Sequence, residues 1–310
     1  MSAAFDALAA RLRVPAIAAP MFLVSGVELV LAACRAGVIG AFPAPNARTV
    51  EELDEWCGTI RAGLGPADAP WALNLVAHRT YARLAQEVEA IEAHRPPLVI
   101  TALGSPAAVI EAVHAYGGVV LADVSTTRHA EKALAAGADG LVLVSAGAGG
   151  HTGSYSPFAF VHELRASFGG PLVLSGGIAD GRAIAAARVL GADLAYVGTR
   201  FIATRESLVP EAYREMVVGC TLADVVQSDR LTGAPANWLA PSLAAAAGAG
   251  GTDGAAGDRA IDFSGIAGAE RKRWRDVWAA GHGLAGATRI CTTAELVDEL
   301  ANQYEEATAR

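Results

Sequence analysis

The chain has 310 residues, 53% of them hydrophobic and 18% charged, with a formal net charge of −8. That length holds one large α/β domain with an appendage, or two ordinary domains, and the composition excludes a chain that is disordered overall. The acidic balance argues against a nucleic-acid partner; the one dense basic run, Arg271-Lys272-Arg273, is interleaved with Glu270, Trp274 and Asp276 and reads as a helix face.

Eight short apolar runs alternate with helix-length amphipathic segments up to about residue 208: Ala16–Ala19, Val38–Phe42, Trp71–Val76, Leu98–Ala102, Val119–Val124, Gly140–Ser145, Leu172–Ser175 and Leu194–Val197. Most are apolar throughout, as strands buried on both faces of a parallel sheet should be. Three helical segments end in glycine immediately before the next run, at Gly37, Gly137 and Gly191, where a left-handed residue stops a helix. Eight such repeats predict an α/β fold, a (β/α)8 TIM barrel over residues 1–208 completed by a C-terminal helix over 288–310. A doubly wound open sheet has the same strand count and stays the alternative. The pattern changes after Phe201. Helices are expected over Glu206–Val218, Glu270–Ala280 and Thr293–Thr308, with a further element starting at Asp224–Ser228. Residues 209–287 are therefore read as a small inserted helical or lid subdomain, containing an Ala/Gly-rich flexible segment at about 240–257.

In a parallel barrel the reactive groups lie on the loops that follow the strands. Pro20, Met21 and Phe22 end the first run and suit the edge of an aromatic ligand or the core. Asn74 is an amide inside a buried run and needs a partner. The sixth loop reads Ser145-Ala146-Gly147-Ala148-Gly149-Gly150-His151-Thr152-Gly153. It nearly matches a dinucleotide fingerprint, but Thr152 stands in place of the third glycine and no acid follows at the required distance. What it does display is His151, an imidazole among residues with almost no side chains and a candidate general acid or base. The seventh and eighth loops, Ser175-Gly176-Gly177 and Gly198-Thr199, read as a phosphate cradle, a device that does not by itself identify the ligand.

His94, His114, His129 and His162 fall in or at the ends of predicted helices and read as surface residues, while His78 and His282 stand near the barrel mouth. Neither HxH nor HExxH spacing occurs, and Cys34, Cys57, Cys220 and Cys291 form no CxxC pair, so no metal is expected. The apolar stretch from Val14 to Val24 is short and broken by Pro15 and Pro20; Leu231–Thr252 is uncharged but weakly apolar. A soluble, cytoplasmic protein without a membrane partner is expected.

Ala19-Pro20-Met21, Ala148-Gly149-Gly150-His151-Thr152-Gly153, Leu174-Ser175-Gly176-Gly177-Ile178 and Gly198-Thr199-Arg200-Phe201 follow one another in an order that resembles the nitronate monooxygenase family, with a looser echo over residues 274–283. The resemblance implies an FMN-dependent TIM-barrel oxidoreductase. It implies that Met21 and Phe22, beside Pro20, border the flavin ring, that Asn74 hydrogen-bonds it, and that Gly149 and Gly150 approach it. Ser175, Gly176, Gly177, Gly198 and Thr199 would hold the phosphate, and His151 falls on the active-site histidine. Two positions depart from the family. Gly147 stands where a glutamate often lies, and Asp123, beside the flavin, stands near where some members carry a lysine, which implies a changed redox potential and a changed preference for anionic substrates.

The activity so implied is oxidation of alkyl nitronates with dioxygen to a carbonyl compound and nitrite. His151 would act as base on a neutral nitroalkane or stabilise the nitro oxygens of the anion. An NAD(P)H-dependent reductase of quinones or enoyl thioesters is the alternative on the same fold, and a homodimer is compatible with either. A flavin-free lyase or isomerase acting on a phosphorylated substrate lacks an obvious Schiff-base lysine, since Lys132 and Lys272 end no predicted strand. A non-catalytic flavin-binding module would show bound FMN that neither nitronate nor nicotinamide reduces.

Overall fold

The computed structural model describes residues 3–248 and 277–309. Eight parallel strands close into a barrel: β1 (Ala16–Ala18), β2 (Ile39–Pro43), β3 (Trp71–Val76), β4 (Leu98–Ala102), β5 (Val119–Val124), β6 (Gly140–Val144), β8 (Leu172–Ser175) and β9 (Leu194–Val197). β1 pairs with both β2 and β9, Ile17 standing opposite Ile39 on one side and Tyr196 on the other, so no strand edge is left open. The closed sheet decides between the two topologies in favour of the TIM barrel. All eight expected runs are strands, with ends shifted by at most a residue.

Alternation along each strand sends every second side chain inward. Ile17, Ile39, Ala72, Ile100, Leu121, Val142, Val173 and Leu194 fill the interior. Helix α1 (Ala3–Ala9) closes the N-terminal end of the barrel by placing Phe5 in the same cluster. Outward-facing residues pack under the surrounding helices, α2 (Val27–Ala36), α3 (Val50–Gly63), α4 (Leu84–His94), α5 (Ala107–His114), α6 (Thr127–Ala135), α7 (Pro157–Arg165) and α8 (Gly181–Leu190). Gly37, Gly137 and Gly191 take φ of 100°, 100° and 110°, the left-handed turn their place after a helix calls for.

After β9 the chain forms a short turn of helix, α9 (Thr199–Ile202), then α10 (Glu211–Gly219), β10 (Val225–Ser228), β11 (Ala236–Leu239) and α11 (Ala240–Gly248). The helix expected from Glu206 begins only at Glu211, because Pro210 occupies the N-cap in an extended conformation. This region also contains strands that periodicity did not suggest. β10 and β11 pair antiparallel, and β11 pairs with a two-residue strand, β7 (Gly150–His151), inside the sixth loop. Residues 249–276, which carry half of the Ala/Gly-rich segment, the basic run and most of the helix expected at Glu270–Ala280, lie outside the described residues; the other half of that segment, expected to be flexible, is helix α11. The end of that expected helix, Val277–Ala280, is extended: Ala279 bridges to Trp238, and the Leu239 amide donates to the Trp278 carbonyl at 2.9 Å. Sheet pairing there outweighs helical periodicity.

The last helix, α12 (Thr293–Thr308), opens with a capping box between Thr292 and Glu295 and buries Leu296, Val297 and Leu300 in the core under the barrel. Among the described residues no helix is long and apolar enough to cross a membrane, and no cluster of His, Cys, Asp or Glu could hold a metal ion. His94, expected at the surface, is buried instead, its Nε2 lying 2.6 Å from Asp54 Oδ1, because α3 and α4 pack face to face there.

Candidate active site

A cavity of about 1920 Å³ opens at the C-terminal end of the barrel. Its floor is the last inward layer of the strands. The alternation that points Val119 and Leu121 inward also points Asp123 inward, so this residue belongs to β5 itself and not to the loop after it. Asn74 arrives the same way on β3; it is 6% exposed and donates an amide hydrogen to the Ile100 carbonyl at 3.1 Å. Ser175 ends β8, and Tyr196 stands one residue before the end of β9.

Asp123 faces the cavity, yet its Oδ1 is buried without a hydrogen-bond partner, and burial pushes its pKa up to about 7. The Tyr196 hydroxyl is likewise buried and unpartnered; burial first, and then the nearby Asp123 charge, raise its pKa.

Pro20, Met21 and Phe22 form one wall, half-buried. Asn46 shapes it: its Nδ2 donates to the carbonyls of Met21 (3.0 Å) and Ser25 (2.7 Å), and its Oδ1 accepts from the Leu23 amide (2.8 Å). Those bonds hold Leu23 at φ 60°, a left-handed conformation that a branched side chain rarely takes.

The sixth loop forms the opposite side. Gly147 and Gly150 take φ of 89° and 64°. The Thr152 hydroxyl donates to the Ser145 carbonyl at 3.1 Å, closing the loop on itself. β11 then fixes it from outside: Ala236 stands opposite His151, Asn237 opposite Gly150, the Asn237 amide donates to the Ala148 carbonyl at 2.7 Å, and the Thr152 amide donates to the Pro235 carbonyl at 3.0 Å. His151 is thereby half-buried at the cavity wall, and desolvation lowers its pKa. A Cβ on Gly147 would fall 2.7 Å from Nδ1 of His282, so the imidazole of His282 takes the volume that a side chain at 147 would need.

The two glycine loops come together beside this wall. At Gly176 φ is 113°, and a Cβ would lie 2.5 Å from the Ser145 hydroxyl oxygen and 2.7 Å from the Ala146 carbonyl, so only glycine fits. Gly177 is exposed with φ 75°. A Cβ on Gly198 would sit 3.4 Å from Met21 Sδ, and the Thr199 hydroxyl accepts from the Gly281 amide at 2.9 Å. The N-terminus of α8 is already capped by Asp180, whose carboxylate accepts from the Ala183 amide at 2.8 Å. An anion here would meet loop amides, not that helix end. Val277, Trp278, Ala279 and Ala280 close the mouth from above; Trp278 stacks on Tyr213 at 4.9 Å and 6°.

The structure thus gathers every expected site residue around one cavity. It adds Asn46, Tyr196, Asn237 and Tyr213, which a reading by motif does not single out. Tyr196 does carry a signal, as the one phenol in an otherwise aliphatic run.

The sequence profile of one protein family, nitronate monooxygenase, matches residues 68–303. The chain belongs to the nitronate monooxygenase family. It is 30% identical over 271 residues to a nitronate monooxygenase of Pseudomonas aeruginosa, covering 73% of this chain and 76% of that one. It is also 30% identical over 232 residues to the (3aS,4S,5R,7aS)-5-hydroxy-7a-methyl-1-oxo-octahydro-1H-indene-4-carboxyl-CoA dehydrogenase of Mycobacterium tuberculosis, covering 74% of this chain and 64% of the relative. The chain spans 40% to 64% of the length of the first of its curated relatives. The fold is shared with the nitroalkane oxidase of Streptomyces ansochromogenes, with a TM-score of 0.81, 24% identity, and 98% and 99% of the two chains covered. In this member of the nitronate monooxygenase family, the position of Gly147 is explained by the packing of His282 against it.

Proposed function

We propose that the protein is an FMN-dependent enzyme that oxidises alkyl nitronates with dioxygen to a carbonyl compound and nitrite. The observation that carries this reading is the pinned His151, a half-buried imidazole held in the cavity wall beside a glycine cradle. The residues present fit the cofactor. Gly176 admits no side chain, the Thr199 hydroxyl already accepts from Gly281 and keeps its proton to donate, and Gly177 is open to a phosphate. In this reading Ser175, Gly176, Gly177, Gly198 and Thr199 hold the phosphate, and Gly149 and Gly150 let the ring approach closely. Pro20, Met21 and Phe22 border it, and Asn74 and Asp123 meet it from the floor. Bound there, FMN supplies the electron transfer between substrate and dioxygen.

The chain's own groups do the rest. His151, whose burial favours the neutral imidazole, takes the α-proton of a neutral nitroalkane at its ring nitrogen or holds the nitro oxygens of the anion. Trp278 and Ala280, which line the mouth, exclude water from it. The test is to purify the full chain, load it with FMN, and follow oxygen uptake and nitrite release with ethyl nitronate. A colourless protein that stays colourless in excess FMN ends the proposal.

A second reading is favoured by the size of the cavity. Ligand pockets commonly occupy about 300–1,000 Å³, and this one, at about 1920 Å³, exceeds what FMN and a small nitronate need. An NAD(P)H-dependent reductase acting on a quinone or an acyl thioester would use that room, and the relative from Mycobacterium tuberculosis bears the name of a carboxyl-CoA dehydrogenase. Anaerobic mixing with NADH or NADPH separates the two: rapid flavin bleaching marks the reductase, and oxygen uptake with nitronate but no bleaching marks the monooxygenase.

A further inference from the structure

Two polar side-chain atoms on the cavity floor are buried without a partner, Asp123 Oδ1 on β5 and the Tyr196 hydroxyl on β9. They come from strands three places apart around the closed barrel, and both line the cavity at its C-terminal end. They are near enough that a charge on Asp123 acts on Tyr196. Leaving a buried polar group unsatisfied is costly, and two such groups lining one cavity mark a place where a ligand completes the hydrogen bonding.

We propose that Asp123 and Tyr196 form a ligand-anchoring pair that presents two O–H donors and takes the acceptor-bearing edge of a flat heteroaromatic ring. The identity of the ring as flavin rests on the proposed function. The donor character follows from the surroundings of Asp123. The neighbouring strand positions, Ala102 on β4 and Val142 opposite Asp123 on β6, bring no charge. Burial of His151, which also lines the cavity, disfavours its charged form, and His129 and Lys132 stand on α6 at the rim without perturbing the carboxyl. With no cation to hold the carboxylate, burial keeps the proton on Asp123 up to about pH 7. A ligand edge rich in lone pairs strengthens that preference, and an increase of negative charge on the ring strengthens it further. Ionisation of Asp123 turns one donor into a repelling charge.

The experiment measures FMN affinity by quenching of flavin fluorescence between pH 6 and 8.5, for the full chain and for Asp123→Asn and Tyr196→Phe. The FMN phosphate titrates in all three proteins, so the difference between profiles reads Asp123. The wild-type Kd should rise about tenfold across the range, the change that one unit of pKa displacement on binding produces. Asp123→Asn keeps a donor and cannot ionise, so its Kd should lack that extra rise, whereas Tyr196→Phe should bind more weakly at every pH. An Asp123→Asn profile that tracks wild type overturns the proposal. Should no protein bind FMN, the flavin reading fails, and the pair is decided on the ligand-free chain by urea unfolding. A stability advantage of Asp123→Asn that grows from pH 5 to pH 8 upholds a proton-carrying Asp123, and an advantage that does not change with pH overturns it.

Discussion

Asn237 donates its side-chain amide to the carbonyl of Ala148 at 2.7 Å, across 89 residues of sequence, and both residues are buried. This bond, with the β7–β11 pairing, makes the glycine-rich loop a fixed wall. Glycines by themselves would leave that loop with more conformational freedom than any other composition. Asn237→Ala strips the donor from a buried carbonyl and should cost about 1–3 kcal/mol, read as a lower urea midpoint. Turnover should fall by a larger factor than FMN affinity, because the bond positions His151 while the phosphate loops lie elsewhere. Equal losses in both would show that Asn237 does not act through the histidine.

Burial lowers the pKa of His151, so its proton is lost at a lower pH than that of an ordinary imidazole. The base form therefore persists below pH 6.5. With a neutral nitroalkane, the acid limb of the kcat/KM profile should fall below that value. His151→Ala should stay yellow with FMN and lose about 10²–10⁴ in kcat/KM. An acid limb at or above 6.5 would contradict the burial of the imidazole.

Gly176→Ala meets two obstacles, a left-handed φ of 113° and oxygen atoms at 2.5 and 2.7 Å from the new Cβ. Such strain costs on the order of 1–3 kcal/mol. Relief requires the seventh loop to move away from Ser145, which distorts the cradle. FMN affinity should drop at least tenfold, measured by fluorescence titration. Gly169, where a Cβ meets nothing, is the control, and its alanine variant should bind as wild type.

Away from the site, Glu87 is 0% exposed and accepts from the Tyr81 hydroxyl at 2.6 Å, with Arg83 at 3.4 Å. Desolvation nevertheless dominates and raises its pKa from 4.5 to about 7. A group with a raised folded pKa contributes its stability fully below the unfolded value and loses it as pH climbs through the folded one. Glu87→Gln, which cannot ionise, should gain on wild type by on the order of 3 kcal/mol between pH 4.5 and pH 8. Urea unfolding at the two values checks it, and a gap that shrinks with pH would mean that Arg83 outweighs burial.

The barrel was legible in the sequence because its causes are local. Apolar runs of strand length, amphipathic segments between them, and glycine at the helix ends each follow from a few neighbouring residues, and closure into a barrel is what eight such repeats allow. Gly176 and Gly198 could be found by position, since a loop after a late strand with no Cβ has few purposes besides close approach. The burial of His94 was not legible, because it depends on Asp54 on another helix. Nor was the extended course of Val277–Ala280, where a partner strand supplies hydrogen bonds that helical periodicity cannot anticipate.

What the sequence determined by itself is the scaffold and the chemistry carried on it: eight buried strands, two glycine loops, one histidine among glycines, one acid in an inward row. What only the tertiary structure decided is how those groups are held and what state they are in. Asn237 reaches Ala148, His282 fills the space beside Gly147, and Asp123 and Tyr196 line one floor because a closed sheet brings distant strands together. Burial and partner count are properties of that enclosure, and they set the protonation of Asp123 and His151.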